Sequence, residues 1–216
     1  MMKLYSFHSS SAAYRTRIAL NLKNAPYEIV PVRFGPGGGE NKGPEYTKLN
    51  PQQLVPTLVT DEGVIPQSLA IMGYLDGKFP DPPFMPKEPW GRAMIMSIAC
   101  NICCDIHPVN NLRVRQYLKD PLGHSDAEVE EWQRHWIDVN FAGLEEWVKD
   151  KRGKYCWGDQ PSVADICLVP QVTNARRVKV DMSKFPNLNE IDARCRQLPA
   201  FIKAAPDQQP DWPGRR

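Results

Sequence analysis

The chain has 216 residues, with 27 lysines and arginines against 25 aspartates and glutamates, for a formal charge of +2. That near balance lacks the basic excess that a nucleic-acid partner selects. No apolar run reaches the ~20 residues a membrane span needs, so neither kind of partner is expected. The opening Met-Met-Lys-Leu-Tyr enters a strand directly and lacks a signal-peptide core, which points to a cytoplasmic protein. The six cysteines (100, 103, 104, 156, 167 and 195) form no disulfide-scaffold pattern and suit small buried apolar groups in a reducing compartment.

Taken in chain order, residues 1–80 alternate strand and helix signals. Lys3–Phe7 reads as a strand. Ser9, Ser10 and Ser11 follow, and then a helix that buries Tyr14, Ile18 and Leu22 at i, i+4, i+8 spacing. Tyr27–Val32 is a second strand, and Gly35-Pro36-Gly37-Gly38-Gly39 marks a mobile loop. Leu58-Val59 and Val64-Ile65 flank the hairpin signal Asp61-Glu62-Gly63. Gln67-Ser68 then opens a helix with Leu69, Met72, Leu75 and Phe79 on one face. The order is β-α-β, then β-β-α.

The proline-rich stretch from Pro80 to Pro89 is a domain boundary, and beyond it the signals are helical. Residues 91–118 form one helical stretch. Residues 126–149 form another, with Trp132, Trp136 and Trp147 assigned to the core. Ser162-x-x-Asp165 is a capping box that opens an apolar helix, which Pro170 should kink. The polar tail after Pro206 should lie on the surface. The fold expected is an α+β domain over residues 1–82 followed by an all-α domain over residues 90–216.

Three features of the first domain carry chemistry. The serines sit where a strand turns into a helix N-terminus, whose unpaired N–H groups and partial positive charge attract an anion. Pro56 at the mouth of a strand removes a ladder donor and leaves the Val55 backbone to bond an extended ligand. Ser68 opens a second helix whose N–H groups suit a carboxylate. Each feature alone reads better as a plain helix cap or an edge proline. In this order they describe a site for a short anionic peptide beside a row of hydroxyls. Cys100, Cys103, Cys104 and His107 share one helix face but lack a second ligand pair, so no metal is expected.

The strings that carry these features resemble those of glutathione transferases, and most closely the zeta class, which includes maleylacetoacetate and maleylpyruvate isomerases. They are Ser10-Ser11 with Arg15-x-Arg17-Ile18-Ala19-Leu20, Leu49-Asn50-Pro51-Gln52-Gln53-Leu54-Val55-Pro56-Thr57-Leu58, and Gln67-Ser68-Leu69-Ala70-Ile71. In the second domain they are Asp105-Ile106-His107-Pro108-Val109-Asn110-Asn111, Ala164-Asp165-Ile166-Cys167-Leu168-Val169-Pro170-Gln171-Val172 and Asn174-Ala175-Arg176-Arg177.

The resemblance implies a thioredoxin-like first domain, a helical second domain and a homodimer, with glutathione as cofactor. It implies Ser10 as the catalytic hydroxyl, with Ser11 also at the thiol, and a cis Val55–Pro56 peptide. Gln53, Val55, Gln67 and Ser68, with His107 and Asn111, would bind glutathione. Arg177 would hold a carboxylate of an acidic, electrophilic substrate, with Arg113 and His8 as further candidates. The implied reaction is glutathione-dependent cis–trans isomerisation of a maleyl-type keto diacid, maleylacetoacetate or maleylpyruvate. Glutathione transfer or lyase chemistry on another electrophile is the alternative, and a non-catalytic thioredoxin-like binding protein is the third reading.

Two positions depart from the class pattern. Ala12 stands where many members carry a cysteine, which argues against reductive dehalogenation. Ser9 stands where the isomerases commonly carry an arginine suited to a substrate carboxylate.

Overall fold

The structure, a computed structural model, describes residues 1–35, 39–150 and 153–214. Residues 36–38 of the glycine-rich segment lie outside that range. The chain divides into two compact units, Met1–Pro83 with Gln197–Arg216, and Phe84–Arg196.

In the first unit β1 (Met2–Ser6) leads through α1 (Ser11–Leu22) to β2 (Tyr27–Pro31), which pairs parallel with β1. α2 (Pro44–Leu49) precedes β3 (Thr57–Val59) and β4 (Val64–Pro66), an antiparallel hairpin, and α3 (Ser68–Lys78) closes the motif. The sheet order is β2-β1-β3-β4, with β3 antiparallel to β1. This is the β-α-β, β-β-α arrangement expected of a thioredoxin-like domain. Leu4, Ile18, Leu20, Leu58, Ile71 and Leu75 are fully buried. Burial of such a side chain contributes about 1.5–3 kcal/mol.

The second unit is helical among its described residues. α4 (Pro89–Cys100) runs into a π-helical segment, Asn101–Ile106, and then α5 (His107–Asn110). The single helical stretch expected over 91–118 is therefore interrupted. Pro108 lacks a backbone N–H to continue the ladder. Asn111 turns extended and caps α6 (Leu112–Lys119), accepting the Val114 amide at 3.1 Å.

α7 (Asp126–Lys149) buries Ile137, Phe141, Leu144 and Val148, a stripe at i, i+4, i+7 and i+11. Trp147 falls off that stripe and is 46% exposed, so its assignment to the core is corrected. Trp132 is half-buried and donates its indole N–H to the Val109 carbonyl at 2.9 Å. α8 (Val163–Arg177) is buried along most of its length and continues unbroken through Pro170. Its capping box forms as expected: the Ser162 amide and hydroxyl each donate to Asp165 at 2.8 Å. α9 (Pro186–Cys195) packs on α8.

The chain then returns to the first unit. α10 (Pro199–Ala204) packs against α1, burying Phe201 and Ala204. Asn21 donates to the Ala200 carbonyl at 3.0 Å. The tail beyond it lies mostly at the surface, as expected, and is anchored there: Gln209 is 2% exposed and donates to the Lys203 and Ala205 carbonyls.

Candidate active site

The register of the sheet positions three of the sequence features. Tyr5 pairs with Thr57, and Thr57 pairs with Pro66. The loop after β1, the residues before β3 and the residues after β4 therefore emerge at one end of the sheet. Those segments carry Ser9–Ser11, Gln53–Pro56 and Gln67–Ser68.

Ser10 is the N-cap of α1, and its Oγ accepts the Ala13 amide at 3.2 Å. The first turn of α1 holds no acidic residue. Capping uses a lone pair and leaves the O–H proton to donate elsewhere, so the cap fixes the hydroxyl without consuming its donor. Ser11 opens α1 and is buried.

The Val55–Pro56 peptide is cis. Among the described residues no hydrogen bond reaches the Val55 amide or carbonyl. The neighbouring Leu54 carbonyl, by contrast, accepts from Tyr46 at 2.6 Å, Asn50 at 2.9 Å and the Thr57 hydroxyl at 3.4 Å. The chain is thus held firmly on one side of Val55 while its own peptide groups remain available, as strand-like capture of an extended ligand requires.

Gln53 and Gln67 both take positive φ, 57° and 70°. Non-glycine residues adopt that region at a cost of order 1–3 kcal/mol, and such outliers cluster at ligand clamps. The Gln53 side chain donates to Thr47 at 3.1 Å, and the Gln67 side chain donates to Gln52 at 2.8 Å. No side chain caps α3, whose first residue is the buried Ser68. Its first-turn amides have no intrahelical partner and form an anion seat.

His8 is 9% exposed. Its amide donates to Asp211 Oδ2 at 2.8 Å, and its Nδ1 lies 3.2 Å from the same oxygen. A carboxylate thus already faces the ring that the sequence offered as a substrate contact.

In the second unit, His107 opens α5 and Asn111 caps α6. Arg113 is exposed on α6. Arg176 and Arg177 end α8 and differ in kind. Arg176 is tied to the fully buried Asp192 at 2.6 Å, so its role is architectural. Burial pushes the pKa of Arg177 down, although its surface is partly open.

Arg115 is the cation that sequence reasoning missed. Burial and the charge of Arg177 both push its pKa down, and its Nε is buried without a hydrogen-bond partner. Two neighbouring guanidiniums that repel each other favour an anion between or beside them. Arg113 and Arg115 lie about 200° apart around α6, so only one of them can share the Arg177 side. The sequence pattern gave no basis for choosing Arg115.

Among the described residues no group of three or more His, Cys, Asp or Glu side chains is arranged to hold a metal. No described helix is long and apolar enough to cross a membrane. None of the six cysteines is in a disulfide, and burial pushes the Cys156 and Cys195 thiols up, away from reactivity.

Comparison with known proteins identifies the family and the fold. The sequence profile of the glutathione S-transferase N-terminal domain matches residues 1–77, and that of the C-terminal domain matches residues 95–199. A probable maleylacetoacetate isomerase of Vibrio cholerae serotype O1 is 49% identical over 208 residues, 96% of this chain and 97% of that protein. The holo structure of maleyl pyruvate isomerase, a bacterial zeta-class glutathione-S-transferase, superposes with a TM-score of 0.94 at 43% identity. It covers 97% of this chain and 99% of its own. A maleylacetoacetate isomerase from Methylobacterium extorquens AM1, solved with bound malonate and glutathione, gives 0.93 at 34% identity, covering 98% and 99%.

Proposed function

The chain belongs to the zeta class of the glutathione S-transferase family, and from that premise we propose that it is a glutathione-dependent cis–trans isomerase of a maleyl-type keto diacid, maleylacetoacetate or maleylpyruvate. The observation that carries the thiol site is the Tyr5–Thr57–Pro66 register. It sets a fixed hydroxyl, an unengaged peptide pair and an uncapped helix end at one end of the sheet.

Glutathione supplies a thiolate that adds reversibly to the cis double bond, permits rotation, and is released with the trans product. The protein's part is to hold each charge. A thiol of pKa about 8.5 is mostly protonated at neutral pH. Lowering it by ~2 units takes ~2.7 kcal/mol of preferential anion stabilisation. A hydroxyl bonded to a charged group contributes about 1.5–3 kcal/mol, and a helix N-terminus about 0.3–1 kcal/mol. The Ser10 O–H with the end of α1 is therefore sufficient, with Ser11 beside it. The Val55 amide and carbonyl suit the peptide part of the cofactor. Gln67, Ser68 and the first turn of α3 suit its γ-glutamyl carboxylate, with Gln53 fixing the preceding turn. By resemblance to the class, His107 and Asn111 are assigned to glutathione as well.

Arg177 and Arg115 hold the substrate carboxylates and oppose the negative charge that develops on its carbonyl oxygen. Arg113, exposed on another side of α6, is the weaker contributor. The enzyme is cytoplasmic and works as a homodimer.

Retention on immobilised glutathione tests the cofactor site. The parent protein is expected to bind, and Ser10→Ala and Gln67→Ala to bind less. A parent protein that passes through unretained favours a non-catalytic scaffold. Stoichiometric consumption of glutathione by a halide or epoxide, with neither diacid turned over, favours a transferase.

A further inference from the structure

The tail that returns to the first unit does more than cover it. We propose that the C-terminal segment sets the position of the thiol-holding loop, with Asp211 as a positioning residue for Ser10. This rests on the reading of Ser10 as the hydroxyl that holds the thiolate.

The loop between β1 and α1 is clamped from two sides. On the inner side, Arg17 of α1 is wholly buried. Its Nη1 donates to the Ser6 hydroxyl at 3.0 Å and the Phe7 carbonyl at 3.3 Å, and its Nη2 to the His8 carbonyl at 3.1 Å. Its Nε donates to the Ala204 carbonyl at 2.9 Å, at the end of α10. One guanidinium therefore joins the loop to the base of the tail. Burial pushes its pKa down to about 10, which leaves it charged at neutral pH.

On the outer side, Asp211 takes the His8 amide and faces its ring nitrogen. Trp212 meets the His8 ring edge-on, with centroids 5.3 Å apart, while Phe7 meets it from its own side at 4.4 Å. The Ser10 amide in turn donates to the Phe7 carbonyl at 3.0 Å, so a shift at residues 7 and 8 reaches Ser10 directly.

A tail that served only to stabilise the fold would bury apolar surface. This one buries a carboxylate, whose side chain is 13% exposed, and directs it at a backbone amide two residues before Ser10. Removing a carboxylate from water is costly, and the loop amide and ring it engages are what that burial secures. Productive placement of a catalytic group tolerates roughly 0.5 Å, and a displacement near 1 Å lowers rate by about 100-fold.

The test compares Asp211→Ala, Asp211→Asn and Ser10→Ala by steady-state kinetics, by thermal midpoint, and by ultraviolet titration of the thiolate of bound glutathione. Asp211→Ala is expected to lower kcat/KM by about 10- to 100-fold and to move the bound thiol's ionisation to higher pH. Asp211→Asn keeps an acceptor for the His8 amide and should restore most of both. The proposal is overturned if Asp211→Ala titrates like the parent, or if lost activity merely follows a lowered thermal midpoint. If Ser10→Ala loses activity and Asp211→Ala does not, the thiol site stands and the role of the tail falls. If Ser10→Ala itself is without effect, both fall.

Discussion

Arg17, wholly buried, and Arg115, half-buried, are two arginines held in opposite circumstances. Arg17, in the first unit, finds four acceptors for its guanidinium and holds the serine loop to the end of α10. Arg115, in the second, has a buried Nε without a partner and a like charge nearby. A buried guanidinium in which every nitrogen finds an acceptor is architecture. A half-buried guanidinium with an unpartnered Nε, held beside another cation, is a seat for an anion that comes and goes.

If the two arginines differ in this way, their substitutions should fail differently. Arg17→Met strands the Ser6, Phe7, His8 and Ala204 acceptors and should cost about 3 kcal/mol or more, read by chemical denaturation. Activity should be lost along with the serine loop. Ser10→Ala removes the thiolate's donor and should lower kcat/KM by about 10- to 150-fold, while loss of the cap costs only ~1 kcal/mol of stability. Arg115→Ala should raise KM for the diacid about 10-fold at unchanged KM for glutathione. Its stability should hold or rise slightly, because a repulsive neighbour is gone. Conjugation of a neutral electrophile by that variant should be unaffected, and Arg113→Ala should change diacid KM less than about 2-fold. Trp147→Ala, on the open side of α7, should fall within about 0.5 kcal/mol of the parent.

The residues that were legible in sequence are those whose meaning is local. A strand ending in serines, a proline before a strand and a Gln-Ser at a helix start declare their geometry within a few positions, and the sheet register then brings them together. The capping box of α8 is equally local. What the sequence does not declare depends on distance and on angle. Asp211 acquires meaning from His8, 203 positions away, so a polar, proline-rich tail gave no local sign of being anchored. Trp147 was assigned by its hydrophobicity, whereas the Ile137–Phe141–Leu144–Val148 stripe decides which side of α7 is buried. Arg113 and Arg115 are near neighbours in sequence, and only the rotation of α6 separates the exposed one from the one beside Arg177.

The most direct measurement is a progress curve with maleylpyruvate or maleylacetoacetate in large excess over glutathione. The account predicts complete conversion to the trans isomer with the glutathione thiol recovered in full at the end. Conversion that stops once one equivalent of glutathione is consumed, or no conversion of either diacid, would contradict it.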